Sequence, residues 1–328
     1  MNAVPLISLC MIVKDEESNL QRCLASVEGV VDDIVVVDTG SSDRTPALAA
    51  AAGARVFHIP WPNDFAKARN EAIARARGAW VLVLDADEEL DGSFRTGVQH
   101  CLLATSAAAV RVVVENLSPA GDVARSTEAP SVRLFRNVPA HRYERSIHEQ
   151  ISPSILRAGG TIDDAPLRIL HHGYTSDLAQ GGSRAERNLA MLEAELARCP
   201  YDAGLRVHVG LAAKAKGDYG KARAELGAAL LADRGGLGVE ARGRALTALA
   251  QIELASARHA SAVRFGREAF ELDGENVAAA HVVAVALSMQ GDLRGALPWL
   301  ERVRRAPSTN PVVLRDVEML IAYATRAA

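Results

Sequence analysis

The sequence predicts an α/β sheet domain followed by an all-α domain, and three observations carry that reading. Strand-like stretches at residues 7–13, 34–37, 55–59 and 80–84 alternate with helical patterns, as in a parallel sheet with right-handed crossovers. From about Ser183 the composition shifts to Ala, Leu, Arg and Glu with helical periodicity and no strand signal. A short run, Gly217-Asp218-Tyr219 followed by Ala222, recurs as Gly291-Asp292-Leu293 followed by Ala296. At 328 residues the chain is long enough for two cores, which this reading places in residues 1–180 and 183–328.

Residues 7–13 form the first buried strand. Ser18 is placed to cap a helix whose apolar positions Leu20, Cys23, Leu24 and Val27 follow i, i+3, i+4, i+7. The second strand, 34–37, ends in the turn-rich run Asp38-Thr39-Gly40-Ser41-Ser42-Asp43, and Thr45-Pro46 then opens a short helix that Gly53 stops. After the third strand, Trp61-Pro62-Asn63-Asp64 leads into a helix with Phe65, Ala68, Ala72, Ile73 and Ala76 on one stripe, closed by Gly78. Residues 80–84 suit a strand buried on both faces, and it ends abruptly in Asp85, Asp87, Glu88 and Glu89. Extended backbone there turns Asp85 and Asp87 to one side, with small Ala86 between them, where two carboxylates share a hard divalent cation. The competing reading is a solvated acidic loop. Open α/β sheets bind ligands at the carboxyl ends of their strands, which favours the first. Past Leu90, a helix around 94–103, strand-like 110–114, 132–135 and 167–171, and the polar segment 141–150 extend the sheet and lay loops over its carboxyl edge.

In the second half, a degenerate copy of the repeat, Ala257-Arg258-His259 with Ala262, lies 34 residues before the last one. Paired helices at that period are the tetratricopeptide signature, in which the small residue lets two helices approach closely. The first spacing is 40, and the excess falls in 233–238. A generic helical bundle is the rival. A helix over 188–200 joins the two halves.

Composition removes several function classes. A net charge of -3 with scattered Lys and Arg gives no basic face, so nucleic acid is not expected as a partner. Cys10, Cys23, Cys101 and Cys199 lack CxxC spacing and mostly occupy apolar positions, which points to reduced thiols, no zinc site and a cytoplasmic setting. The apolar run 6–13 is followed at once by Lys14-Asp15-Glu16-Glu17, fitting neither a signal peptide nor a membrane span, and no uninterrupted apolar 20-mer follows. Peripheral contact with a membrane stays open. A glycine-rich phosphate turn is missing after the first strand, and no Walker A run occurs. The acidic turn found instead repels phosphate but accepts hydrogen bonds from a base or ribose. A diphosphate must then be held elsewhere, by a cation on Asp87.

The run 8–17, IVVVDTGSSDRT at 34–45, the ARN of Ala68-Arg69-Asn70 with Gly78, and LDADEE at 84–89 together resemble family 2 glycosyltransferases of the GT-A fold. Order and spacing of all four match over about residues 5–90. DFAKARN at 64–70, RLFRN at 133–137, Ile147-His148-Glu149 and His171-His172-Gly173-Tyr174 resemble a subgroup that often carries a C-terminal tetratricopeptide region. That subgroup includes enzymes resembling lipopolysaccharide-core glucosyltransferases and the S-glycosyltransferases of glycosylated bacteriocins.

The resemblance implies a role for each matching residue. Asp38 accepts a hydrogen bond from a uracil ring, and Glu16 walls the base, so UDP is the expected nucleotide. Turn or cap duty is the competing reading of Asp38. Arg69 contacts base or phosphate, Asp85 binds the ribose or, through water, the metal, and Asp87 ligates Mn or Mg bridging both phosphates. The cation neutralises the leaving UDP, and a carboxylate opposite takes the acceptor's proton. Glu149 is the candidate base, with Glu144 and Glu88 as alternatives. His171 is the candidate late metal ligand, since neighbouring histidines on a strand face opposite ways, and Tyr174 is placed to cover the sugar. The expected activity is metal-dependent, inverting transfer of a sugar from a UDP-sugar to a peptide, protein or glycan. The repeats would recruit that acceptor or a partner subunit, a second copy of the chain included. A sugar nucleotidyltransferase would carry a glycine-rich, arginine-containing loop after the first strand, which is missing. An adaptor with an inactive sheet domain has no need of Asp38, Arg69, Asp85 and Asp87 together.

Overall fold

A computed structural model describes residues 7–117, 127–172, 177–233, 235–306 and 311–327, and the chain divides into two compact units, 1–184 and 185–328. The first unit runs β1 (Ile7–Val13), α1 (Leu20–Ser26), β2 (Asp33–Asp38), α2 (Thr45–Ala51), β3 (Arg55–His58), α3 (Phe65–Ile73), β4 (Trp80–Val83), β5 (Glu88–Leu90), α4 (Gly92–Ala104), β6 (Ala109–Asn116), β7 (Thr127–Arg136), α5 (Ser152–Arg157) and β8 (Ile162–His171). Eight strands make one sheet in the order β3-β2-β1-β4-β7-β6-β8-β5. The four leading strands pair in parallel, β7 lies antiparallel to both β4 and β6, and β5 lies antiparallel to β8.

Only residues 84–87 link β4 to β5, although three strands separate the two in the sheet order. In a flat sheet that step would be about 19 Å, too far for four residues that also make a turn. The sheet therefore curls and returns β5 toward the end of β4. Alternation along β1 feeds two cores. Leu9 and Met11 face α1 and α4 with Trp80, Leu82 and Phe94, while Cys10 faces α3 and α5 with Val35, Val37, Ile73, Phe135 and Ile155. At the amino edge, Asp33 ties three elements: it accepts from Ser8 Oγ at 2.7 Å, pairs with Arg55, and accepts from the Arg77 amide.

Local details depart from the sequence reading. Asn19, not Ser18, holds the N-cap position of α1, without a side-chain cap bond. α3 stops at Ile73, short of the expected 76, and is opened by Asp64, which accepts from the Lys67 amide. β5 and α5 are additional elements, and Cys199 is exposed rather than in a core.

α6 (Asp177–Arg198) spans the boundary in sequence, and the second unit continues through α7 (Ala203–Ala215), α8 (Tyr219–Ala232), α9 (Val239–Ala255), α10 (His259–Leu272), α11 (Val277–Met289), α12 (Leu293–Arg305) and α13 (Pro311–Ala327). The sequence repeat is a structural repeat. Gly217, Ala257 and Gly291 end the first helix of each pair in the left-handed region, at φ +81°, +55° and +82°. Ala222, Ala262 and Ala296, five residues on, are fully buried where paired helices meet. Asp218 and Asp292 cap the second helix through the amide three residues on, a bond that Arg258 cannot supply. Among the described residues no helix is long and apolar enough to cross a membrane.

Candidate functional site

At the carboxyl edge the turn after β1 and the loop after β2 clasp each other. The amides of Asp15, Glu16 and Glu17 donate to Ser41 Oγ (2.9 Å), Thr45 Oγ1 (2.8 Å) and Asp43 Oδ2 (3.1 Å). Asp15 and Glu17 in turn accept from the amides of Ser42 and Arg44. Asp15 sits at φ +54° to make this fit. The three amides that would hold a phosphate in a glycine-rich turn are thus satisfied within the protein. Asp38, 3 % exposed, accepts from the Gly40 and Ser41 amides and faces His58 Nδ1 at 3.1 Å. Burial alone would raise its pKa, but the Ser41 and His58 hydrogen bonds outweigh it and hold the carboxyl below its usual range. The turn duty weighed against Asp38 is therefore real. Glu16 accepts from Asn19 Nδ2 at 2.9 Å.

Asp85 and Asp87 do not lie on extended backbone. A turn closes between Asp85 O and the Glu88 amide at 3.0 Å, and Glu88 Oε2 accepts from the Asp85 amide at 2.8 Å. The two aspartates consequently have different partners. Arg69, on α3, donates from Nη2 to Asp85 Oδ1 (2.8 Å) and from Nε to Glu149 Oε1 (2.6 Å), with its guanidinium 5.7 Å from the Tyr143 ring centre. Arg133, on β7, donates to Glu88 Oε1 at 2.6 Å and stands 3.8 Å from Asp85 Oδ2. Burial works to raise Asp85, yet Arg69 and Arg133 hold its carboxyl down at about 2. For Glu88 burial dominates and pushes the carboxyl up to about 6 against the pull of Arg133.

Glu149 reaches Arg69 from 80 residues away in sequence on a loop pinned to α3. Asn70 donates to the Tyr143 carbonyl and accepts from its amide, both at 2.9 Å, and the Phe65 amide donates to Ser146 O. Arg145 and His148 take φ +75° and +53°, strained values for residues with a Cβ. Of the three candidate bases, Glu88 has both oxygens engaged and Glu144 pairs with Arg157. Glu149 Oε1 is held by Arg69, while its Oε2 has no protein partner among the described residues.

On the other side of the turn, β8 pairs with β5 and the Asp87 carbonyl accepts from the His172 amide. His171 Nε2 stands 3.3 Å from Asp87 Oδ2, and His171 Nδ1 meets Asn116 Oδ1 at 2.8 Å. The asparagine oxygen accepts, so Nδ1 carries a proton. The Asp87 hydrogen bond raises the His171 pKa against opposing burial. His172 points the opposite way, to Glu89 at 3.1 Å. Two electron-pair donors 3.3 Å apart match the spacing of adjacent ligands on one cation at metal–ligand distances of roughly 2.1–2.2 Å, and Asn116 would supply the second contact that orients the imidazole if it held one. No group of three or more His, Cys, Asp or Glu converges on one point among the described residues, so further ligands would come from substrate oxygens and water. Tyr174 lies outside the described residues. The motif reading gave no role to Arg133, Asn116 or Tyr143; the RLFRN match was the only signal, and it pointed to Arg133.

Residues 8–117 match the family model for glycosyl transferase family 2. A TPR repeat-containing protein of Synechococcus elongatus is 44 % identical over 214 residues, covering 63 % of this chain and 52 % of that protein. The SPbeta prophage-derived glycosyltransferase SunS of Bacillus subtilis is 33 % identical over 85 residues, 25 % of this chain and 20 % of its own. This chain thus spans about half the length of the first relative and a fifth of the second. Glucosyl-3-phosphoglycerate synthase from Mycobacterium tuberculosis, solved with Mn2+, UDP and glucosyl-3-phosphoglycerate, is 19 % identical, with a TM-score of 0.42 over 60 % of this chain and 80 % of that one.

Proposed function

The chain carries a family 2 glycosyltransferase domain of the GT-A type followed by tetratricopeptide-like repeats, and on that premise we propose that it moves a sugar from a UDP-sugar to a peptide, protein or glycan acceptor with inversion, in a metal-dependent reaction. The observation that most supports this reading is the placement, around one turn at the sheet's carboxyl edge, of Asp87 against His171 on one side and of Asp85, Arg69 and Glu149 on the other.

Asp38 and Glu16 form the nucleoside end. A carboxylate facing the imide N–H of uracil accepts its proton as a hydrogen bond, which cytosine could not donate. With the amides of residues 15–17 already occupied, the diphosphate lies toward the Asp87 end. Asp87 and His171 would hold Mn or Mg, which when bound supplies Lewis-acid neutralisation of the departing UDP. Asp85, fixed by Arg69, is available to the ribose, since 37 % of its side-chain surface stays open. Glu149 receives the acceptor's proton on Oε2 while Arg69 holds Oε1 and orients the carboxylate. The repeats bring the acceptor.

Calorimetric UDP titrations with manganese, magnesium or EDTA, together with UDP release from a panel of UDP-sugars, test the reading on wild type and Asp87→Ala. Metal-dependent binding and slow release from one donor, both lost in the variant, support it. A folded protein that binds no UDP with manganese present would sink it and favour a tetratricopeptide adaptor with an inactive sheet domain.

A further inference from the structure

We propose that Arg133 is a positioning residue for the cation site: acting through Glu88 and Asp85, it fixes the turn on which Asp87 stands. The inference rests on the proposed function and concerns how the Asp87–His171 pair is kept in register.

Asp87 lies inside the Asp85–Glu88 turn, and two bonds across that turn hold it closed, Glu88 N to Asp85 O and Asp85 N to Glu88 Oε2. The second depends on the Glu88 side chain holding one rotamer. Glu88 is 1 % exposed, and its remaining oxygen is taken by Arg133 Nη2 at 2.6 Å. The same guanidinium stands 3.8 Å from Asp85 Oδ2, so its planar fork spans both ends of the turn. Arg133 itself is delivered by a strand rather than a loop, because its neighbour Leu134 is paired with Leu82 of β4. The frame that sets Arg133 is therefore the sheet that sets the start of the turn.

Two further observations separate this from ordinary core ion pairing. Arg133 Nε is buried with no hydrogen-bond partner among the described residues, which is an unfavourable arrangement for an arginine kept for stability alone. Around it, Asp85, Glu88 and Glu149 pair with Arg69 and Arg133, three carboxylates on two guanidiniums, with His171 facing Asp87 beside them. Without Arg133 the buried Glu88 Oε1 loses its partner, and the Glu88 side chain is no longer held in the rotamer that receives the Asp85 amide. Lysine, a point donor, cannot bridge both.

The experiment measures Mn2+ binding by the electron paramagnetic resonance signal of free Mn2+, at saturating UDP, for wild type, Arg133→Gln, Arg133→Lys and Glu88→Gln, with circular dichroism as the folding control. The Arg133 variants are expected to weaken the Mn2+ half-saturation by about 10- to 100-fold, the range seen when groups behind metal ligands are removed, with near-native spectra and no rescue by lysine. Glu88→Gln keeps an acceptor for the Asp85 amide while losing the pair with Arg133, and should shift in the same direction by less; it carries the test if Arg133→Gln does not fold. Unchanged Mn2+ half-saturation in a folded variant overturns the inference and leaves the proposed function standing. Wild type that takes up no Mn2+ in the presence of UDP overturns both.

Discussion

Replacing Glu149 by glutamine separates the two things its carboxylate is positioned to do. Glutamine keeps an oxygen that accepts from Arg69 Nε, the bond that spans 2.6 Å in the wild type, but it cannot take a proton. Because Arg69 remains charged, its bond to the glutamine oxygen stays charge-assisted and within about 1.5–3 kcal/mol, so the stability cost is about 1 kcal/mol or less. Arg69 retains Asp85 at 2.8 Å and stays in place. A general base contributes roughly 10²–10⁴-fold, which is about 2.7–5.4 kcal/mol of barrier. UDP release from the donor sugar should therefore fall by at least about a hundredfold, while UDP affinity and the urea midpoint move little. A loss under about tenfold, smaller than removal of a base produces, would refute the assignment and reduce Glu149 to an anchor for Arg69.

Other expectations follow from the same geometry. Asp87→Ala should abolish metal-dependent UDP binding while costing about 1 kcal/mol in thermal melts, the size of the one hydrogen bond to His171 that is lost from a half-buried carboxylate; unfolding of the variant would make Asp87 structural. In the helical unit, a Cβ at Gly210 would stand 2.6 Å from Leu226 Cγ, whereas one at Gly227 meets nothing within 4 Å. Gly210→Ala should therefore cost about 1–3 kcal/mol and Gly227→Ala should gain up to about 1 kcal/mol, both read from denaturant midpoints. Asp33 has its pKa lowered: burial pulls the other way but is outweighed by Ser8 and Arg55. Its folded pKa lies below the unfolded one, so its stabilisation is present above about pH 4 and is lost as pH falls through the folded value. Asp33→Asn should be less stable than wild type at pH 6, and the gap should close in melts taken toward pH 3.

Within the parallel half of the sheet, β1, the later part of β2 and β4 were legible because they are buried and read as uninterrupted apolar runs, whereas edge strand β3 carries Arg55 and His58 and was read from its place in the alternation. The repeat was legible through spacing alone. Ala257 takes φ +55° where its counterparts are glycines, so register rather than residue identity carried the degenerate copy. Period-2 reasoning failed at Asp85-Ala86-Asp87, because it presumes extended backbone and a four-residue link in a curling sheet has to turn. Glu88 was grouped with the acidic end of the strand, yet it is buried, and the charge that makes that burial tolerable comes from Arg133, 45 residues later. Pairings of that range, like Arg69 with Glu149, depend on how β7 and the 141–151 loop return to the sheet, and no local pattern encodes them.

The clasp between the β1–α1 turn and the β2–α2 loop has a consequence for dynamics. Its bonds run in both directions, from the amides of Asp15, Glu16 and Glu17 to side chains of the loop and from the Ser42 and Arg44 amides back to the turn. Neither segment opens without the other, so they form one cooperative unit in the sense of local unfolding. Their amide hydrogens should then exchange with deuterium slowly and with a common rate, in the ligand-free protein as much as in the liganded one. The nucleoside end would be preorganised before any nucleotide arrives, and whatever ordering accompanies binding would be felt at the far end of the edge.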